Sequence, residues 1–241
     1  MTLPIKLVMS KETTFTVLPI TANDEEEIMD LLKRTFFIDE PLNEAVGLYD
    51  SGSCLEVEEY CRDSLLKGLS FKAVEPKGKI IGTMINGICP LEDEDEENSL
   101  LNQALRCPNP KFQRILHILA RREEGAKLAE KFPSDKVFVD IKVAATDPHW
   151  RRRGVMNELL RETENITKQR GIRILRMDTS SAYSAMSAER LGFNCIYKAA
   201  YKDIKLNGEP LIVPKEPHVN DAVYIKLLSG SDPGTLVHNK T

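Results

Sequence analysis

The sequence has no long apolar run, no paired cysteines and no concentration of basic residues, and each absence narrows what the chain can be. No stretch approaches the roughly 20 apolar residues that cross a bilayer. The opening MTLPIKLVMSKETTF has neither the apolar core of a secretory leader nor a small-residue cleavage site. A cytoplasmic protein with no membrane partner is expected. Cys54, Cys61, Cys89, Cys107 and Cys195 are odd in number and lack CxxC or Cys/His spacing, which predicts reduced thiols rather than a disulfide frame or a metal site. With 33 Lys and Arg against 37 Asp and Glu the net charge is −4. A protein that lives on phosphate backbones concentrates Lys and Arg, so nucleic acid is not an expected partner and cationic small molecules are mildly favoured.

What is present is an ordinary globular balance, 41% hydrophobic and 29% charged over 241 residues, enough to bury a core without staples. No repeat or linker divides the chain. One domain over 1–228 is expected, with a disordered tail over 229–241 (SGSDPGTLVHNKT). TFTVLPI (14–20) reads as a strand. Thr21 and Asn23 then offer caps to a helix with Asp24, Glu25 and Glu26 in its first turn and an apolar stripe of Ile28, Leu31, Leu32, Thr35 and Phe36. It should run to Asp39-Glu40-Pro41, because a residue before proline is pushed out of the α region; Glu40 thus falls at a helix end. An amphipathic segment at 55–67 precedes a hairpin of SFKAVEP (70–76) and KIIGTMINGI (79–88).

The six successive acids at 92–97 predict a solvated loop, with attraction of cationic substrates on approach as the alternative. A helix starts at Asn109-Pro110 and continues to about residue 131. There follow a strand VFVDIKVAAT (137–146), a turn, a helix over 154–170, a strand over 172–178, a helix over 182–191 and two final β segments. The order is α/β or α+β, one mixed sheet with helices against it.

The segment 139–172, VDIKVAATDPHWRRRGVMNELLRETENITKQRGI, is a buried-looking strand, a turn and an amphipathic helix. Gly154 sits where the backbone can turn tightly into the helix, so that free N–H groups of residues 152–157 converge with the positive end of the helix dipole behind them. That suits a pyrophosphate, and Arg151, Arg152 and Arg153 add charge. A basic, solvated helix start accounts for the same composition.

Strand–(R/Q)xxGx(G/A)–helix is the acetyl-CoA motif of the GNAT superfamily of N-acetyltransferases, which this segment resembles through Arg151-Arg152-Arg153-Gly154-Val155-Met156. Met156 stands where the family has Gly or Ala. DTSSAYSAMSAERLGFNCIYK (178–198) is similar to the family's strand–helix–LGF–strand ending. The resemblance implies a central, mostly antiparallel twisted sheet whose splayed strands take acetyl-CoA as co-substrate. It assigns cofactor contacts to Ala144, Ala145, Thr146, Arg151, Arg152, Arg153, Gly154, Val155, Met156, Asn157 and Tyr183, and it requires no metal. A main-chain N–H aimed at the developing oxyanion would contribute about 3 kcal/mol to the barrier.

An alkylamine with a pKa near about 10 is protonated at neutral pH, so a base must take its proton. Phe36-Phe37-Ile38-Asp39-Glu40-Pro41-Leu42-Asn43 resembles the FxxDEPL signature of insect-type arylalkylamine N-acetyltransferases, in which the Glu before Pro is the base through water. The resemblance therefore implies that role for Glu40, and for Ser180 and Ser184 places at the acceptor site. Tyr183 is the candidate acid near the CoA sulfur. Ser180 or Ser181 equally suits a helix cap, and Glu40 a capping carboxylate. Of four histidines, only His218 is placed to line an amine pocket. The expected activity is acetylation of dopamine, serotonin, tryptamine or octopamine by a monomer. The alternatives are agmatine or a polyamine as acceptor, a CoA-binding module without turnover, for which Met156 is the argument, and a protein-lysine acetyltransferase, which would need a peptide groove.

Overall fold

The computed structural model describes residues 7–10, 13–91 and 99–228. The acidic run at 92–97, the tail from 229 and His238 lie outside the described residues.

Strand β1 (Leu7–Ser10), not anticipated from sequence, forms an edge hairpin with β2 (Thr13–Pro19). Thr21 and Asp24 build a capping box around the 3-10 turn Ala22–Asp24, and α1 (Glu25–Lys33) follows with Ile28, Met29, Leu31 and Leu32 buried. The single helix expected up to Glu40 is broken. At Thr35 the hydroxyl bonds back to the Leu31 carbonyl at 2.5 Å, a contact that competes with the helical ladder and bends helices, and the chain restarts as α2 (Phe36–Asp39) and α3 (Pro41–Val46).

Helix α4 (Leu55–Leu65) leads into the expected hairpin of β3 (Phe71–Val74) and β4 (Ile80–Pro90). A short α5 (Leu100–Arg106), missed in the sequence, precedes α6 (Pro110–Ala126), which Asn109 caps through the N–H groups of Lys111 and Phe112. The helix expected to reach residue 131 stops at Lys127, which adopts φ 49°, and resumes as α7 (Leu128–Lys131). The remainder follows the predicted order, β5 (Val137–Thr146), α8 (Val155–Gln169), β6 (Ile174–Thr179), α9 (Ala182–Arg190), β7 (Asn194–Ala200) and, after a two-stranded excursion of β8 (Lys205–Leu206) and β9 (Glu209–Pro210) that was not anticipated, β10 (Asn220–Leu227).

The main sheet has the order β1-β2-β3-β4-β5-β6-β10-β7, antiparallel throughout except for β5 and β6. Helices α8 and α9 cover one face, where Val155, Leu159, Leu160 and Ala188 join Phe15, Phe71, Ile81, Met84 and Tyr224 in one cluster. Helices α1, α3, α4 and α6 cover the other, around Ile28, Leu32, Leu42, Cys61, Ile118 and Val143. A Cβ on Gly82 of β4 would lie 2.7 Å from Val155 Cγ1; the bare glycine lets the first turn of α8 rest on the sheet.

The parallel pairing of β5 with β6 is confined to Val139↔Leu175, Asp140↔Arg176 and Ile141↔Met177. On its other side β5 passes from Ile141↔Asn86 to Val143↔Ile85, leaving Lys142 without a partner. That extra residue is a β-bulge, which bends the strand carrying it. The two strands separate from the bulge onward, and the open end of the split lies at their C-terminal ends.

Candidate active site

Glu40 is placed by Pro41. The proline at the first position of α3 holds Glu40 at φ −71°, ψ 125°, outside the helical region, so one residue both ends α2 and caps α3. Its Oε2 accepts the Asn43 N–H at 2.7 Å, and its Oε1 accepts the Ser180 hydroxyl. Burial pushes the carboxyl above its usual range, and the hydrogen bonds from Ser180, Asn43 and Leu42 and the charge of Arg122 offset that only in part. Glu40 is therefore a capping residue and a perturbed carboxylate at once.

Behind Ser180 runs a buried polar layer between the sheet and α6 that sequence reasoning missed. The Ser180 carbonyl accepts the Tyr201 hydroxyl at 3.0 Å, and the same hydroxyl lies 3.4 Å from Asp221 Oδ1. Asp221 is paired with Arg122 through Nε at 2.9 Å and Nη2 at 2.6 Å. Arg122 Nη1 reaches Asp178 at 3.6 Å, and Asp178 and Glu123 hold Arg176. The one signal in the sequence was charge at Arg176 and Asp178, alternate positions of an otherwise apolar strand.

The split supplies the second half of the site. Asp147 N–H bonds to the Ile81 carbonyl at 2.8 Å, so with the two-residue alternation of a strand the peptide groups of Ala145 face β4. Those of Ala144 and Thr146 face the side from which β6 has diverged. Ala144 is exposed, Ala145 buried. Gly154 at φ 82° caps α8 with no side chain to occupy the first-turn N–H groups of Val155, Met156 and Asn157, and Arg152 at φ 62° turns the loop before it.

The three arginines are used differently. Arg151 bonds Asp39 at 2.5 Å and the Thr146 carbonyl at 3.3 Å, Arg153 lies over the Trp150 ring at 5.3 Å, and Arg152 has no polar partner among the described residues. The Met156 side chain packs on the core below α8, away from the N–H groups. Arg34 of the loop after α1 reaches Asp147 at 2.5 Å, which ties the Glu40 region to the end of β5.

Tyr183 is 64% exposed and stands edge-on to His218, ring centroids 5.4 Å apart. His218 Nδ1 accepts the Ala182 N–H at 3.1 Å, which puts the ring proton on Nε2 when the imidazole is neutral. The cap of α9 is Ser181, whose hydroxyl oxygen accepts the Tyr183 N–H at 3.1 Å. The Ser184 hydroxyl bonds to the Ser181 carbonyl at 2.9 Å. Glu40 and Ser180 are thus brought together by a hydrogen bond, whereas Ser184 is tied into the first turn of α9. Among the described residues no group of His, Cys, Asp and Glu has the arrangement of a metal site, and no helix is long and apolar enough to cross a membrane.

No protein-family model matches the sequence. Among solved structures, arylalkylamine N-acetyltransferase 2 from Aedes aegypti superposes with a TM-score of 0.83 at 25% identity, over 89% of this chain and 99% of that one. A Drosophila melanogaster polyamine N-acetyltransferase that forms N-acetylagmatine gives 0.79 at 22% identity, over 89% and 100%. The mosquito arylalkylamine N-acetyltransferase-like 5b gives 0.77 at 23%, over 89% and 100%. With its mostly antiparallel sheet, its split parallel pair and its glycine-capped helix, the chain has the GNAT fold in the form found in insect arylalkylamine N-acetyltransferases.

Proposed function

We propose that this chain is an acetyl-CoA-dependent N-acetyltransferase of small primary amines, arylalkylamines before others, working by direct attack in a ternary complex with Glu40 as a water-mediated general base. The observation that carries the proposal is the partly buried Glu40, hydrogen-bonded to Ser180 at the open end of the β5–β6 split. The chain's residues fit the co-substrate: the Gly154 turn presents uncapped N–H groups suited to a pyrophosphate, and the main chain of Ala144 and Thr146 is free of the neighbouring strand. Arg152, with no polar partner among the described residues, adds charge. Acetyl-CoA would supply the activated acyl group.

The remaining chemistry falls to side chains. Glu40, with its proton affinity raised by burial, takes the ammonium proton and leaves a nucleophilic amine; a base tuned toward the working pH does this best. Ser180 holds that carboxylate in one orientation. Tyr183, next to the α9 terminus, returns a proton to the leaving thiolate, with Ser184 lining the acceptor side. Alignment of base, amine and acyl group provides most of the remaining acceleration.

Agmatine is the competing acceptor, because two superposing structures are agmatine or polyamine N-acetyltransferases. Thiol release from acetyl-CoA with tryptamine, dopamine, agmatine, spermidine and a lysine peptide at equal concentration separates the readings. The expected order is tryptamine and dopamine first. A dominant agmatine rate keeps the chemistry and moves the substrate, and binding of CoA with no turnover on any amine overturns the enzyme reading.

A further inference from the structure

The buried layer behind Ser180 is expensive. Tyr201 is 1% exposed, Asp221 0% and Arg122 6%. An ion pair taken that far from water returns little or no net stability compared with apolar residues of the same volume, so its presence calls for a use other than holding the fold. The layer ends at the proposed base. Tyr201 touches the main-chain carbonyl of the residue whose hydroxyl is bonded to Glu40, and the phenol has a single proton with two acceptors in reach, Ser180 O and Asp221 Oδ1.

We propose that Tyr201, itself held by the Arg122–Asp221 pair, is a positioning residue for the reaction: it fixes the Ser180 peptide so that the Ser180 hydroxyl is aimed at Glu40. This rests on Glu40 being the base, as argued above. The charged and titratable groups that face this chain of contacts come from four elements. Arg122 is on α6, Asp178 on β6, Asp221 on β10 and Tyr197 on β7, with Glu40 at the α2–α3 junction. Without the Tyr201 hydroxyl the Ser180 turn loses its anchor and Glu40 loses a donor to its charged form. The carboxylate then binds its proton more tightly and works only at higher pH.

The test is the pH profile of kcat/KM for tryptamine, with acetyl-CoA saturating, for wild type, Tyr201→Phe, Arg122→Lys and Glu40→Gln. Thermal unfolding with and without CoA checks that each variant is folded. For Tyr201→Phe the expected result is a loss of about tenfold near neutral pH, recovery toward wild type at high pH as the rising limb moves up, and a KM for acetyl-CoA within twofold of wild type. Arg122→Lys, which keeps the charge but loses the two-point hold on Asp221, should move the limb up as Tyr201→Phe does, and it carries the test if Tyr201→Phe does not fold. An unchanged Tyr201→Phe profile overturns the proposal. So does an equal loss at every pH with weakened acetyl-CoA binding, which is the mark of a merely structural residue. If Glu40→Gln itself keeps the wild-type profile, the base assignment fails first, and that result is distinguishable because it does not involve Tyr201.

Discussion

At the scale of single residues, the proposed chemistry turns on a carboxylate with two sets of contacts. Glu40 caps α3 through one oxygen and takes the Ser180 hydroxyl through the other. Its carboxyl lies above the usual range because burial outweighs its donors. A base acts only when ionised, so the rising limb of the rate profile should sit at higher pH than an exposed glutamate would give. Replacing it by Gln keeps an acceptor for Asn43 but removes the proposed base. A fall of about 10²- to 10⁴-fold in kcat/KM, with the limb abolished, is expected from initial rates between pH 6 and pH 9.5. The place of Glu40 at a helix end was legible in the sequence because Pro41 constrains the residue before it. Ser180 was singled out by resemblance alone, and its hydrogen bond to Glu40 was not readable from sequence. Tyr201, Asp221 and Arg122 were not: Arg122 and Asp221 are 99 positions apart, and no local pattern reports a pair that the sheet and α6 bring together.

At the scale of elements, local signals worked where the backbone itself carried them. The strand expected at 137–146 is β5 with the same limits, since its β-branched run ends at Thr146-Asp147-Pro148. The helix expected to run unbroken to Glu40 failed because an apolar stripe continues through Thr35 while the hydrogen-bond ladder does not. The continuation to residue 131 failed for a similar reason at Lys127, whose left-handed backbone has no signature in a lysine. The bulge at Lys142, which opens the split, also could not be read, because it is a property of pairing with β4.

The glycine before α8 offers a test at this scale. Gly154 has φ 82°, and an added Cβ would meet nothing within 4 Å, so the cost of Gly154→Ala is conformational, about 1–2 kcal/mol. A lowered Tm is expected. Where the turn instead relaxes to relieve the strain, its N–H groups disperse and the Kd for CoA rises; titration calorimetry reads the second effect. A variant with wild-type Tm and wild-type CoA affinity would contradict this account of the turn.

At the scale of the whole molecule, acid stability should depend on Asp147, which joins the end of β5 to the loop after α1. Burial alone would raise its pKa, but the Arg34 guanidinium and the His149 N–H overcome that and pull it down to about 2. A depressed carboxyl contributes stability that is present above its unfolded value, about 3.9, and is lost as pH falls through the folded one. Arg34→Ala should therefore lose most of its stability deficit relative to wild type as pH drops from 5 toward 2, measured by thermal unfolding across that range. A deficit constant with pH would mean that the Arg34 contact acts through packing alone.

The short contact between β5 and β6 has a mechanical consequence. Five strands lie on one side of that seam and three on the other, and the seam is three residue pairs long. Glu40 sits between α2, which packs on β5, and α3, which packs on α6 and through it on β10 and β7, while Ser180 directly follows β6. Their hydrogen bond is a gauge across the gap. A ligand seated in the split would lie beside that hydrogen bond, so filling the split is expected to bear on how the Glu40 carboxylate is held.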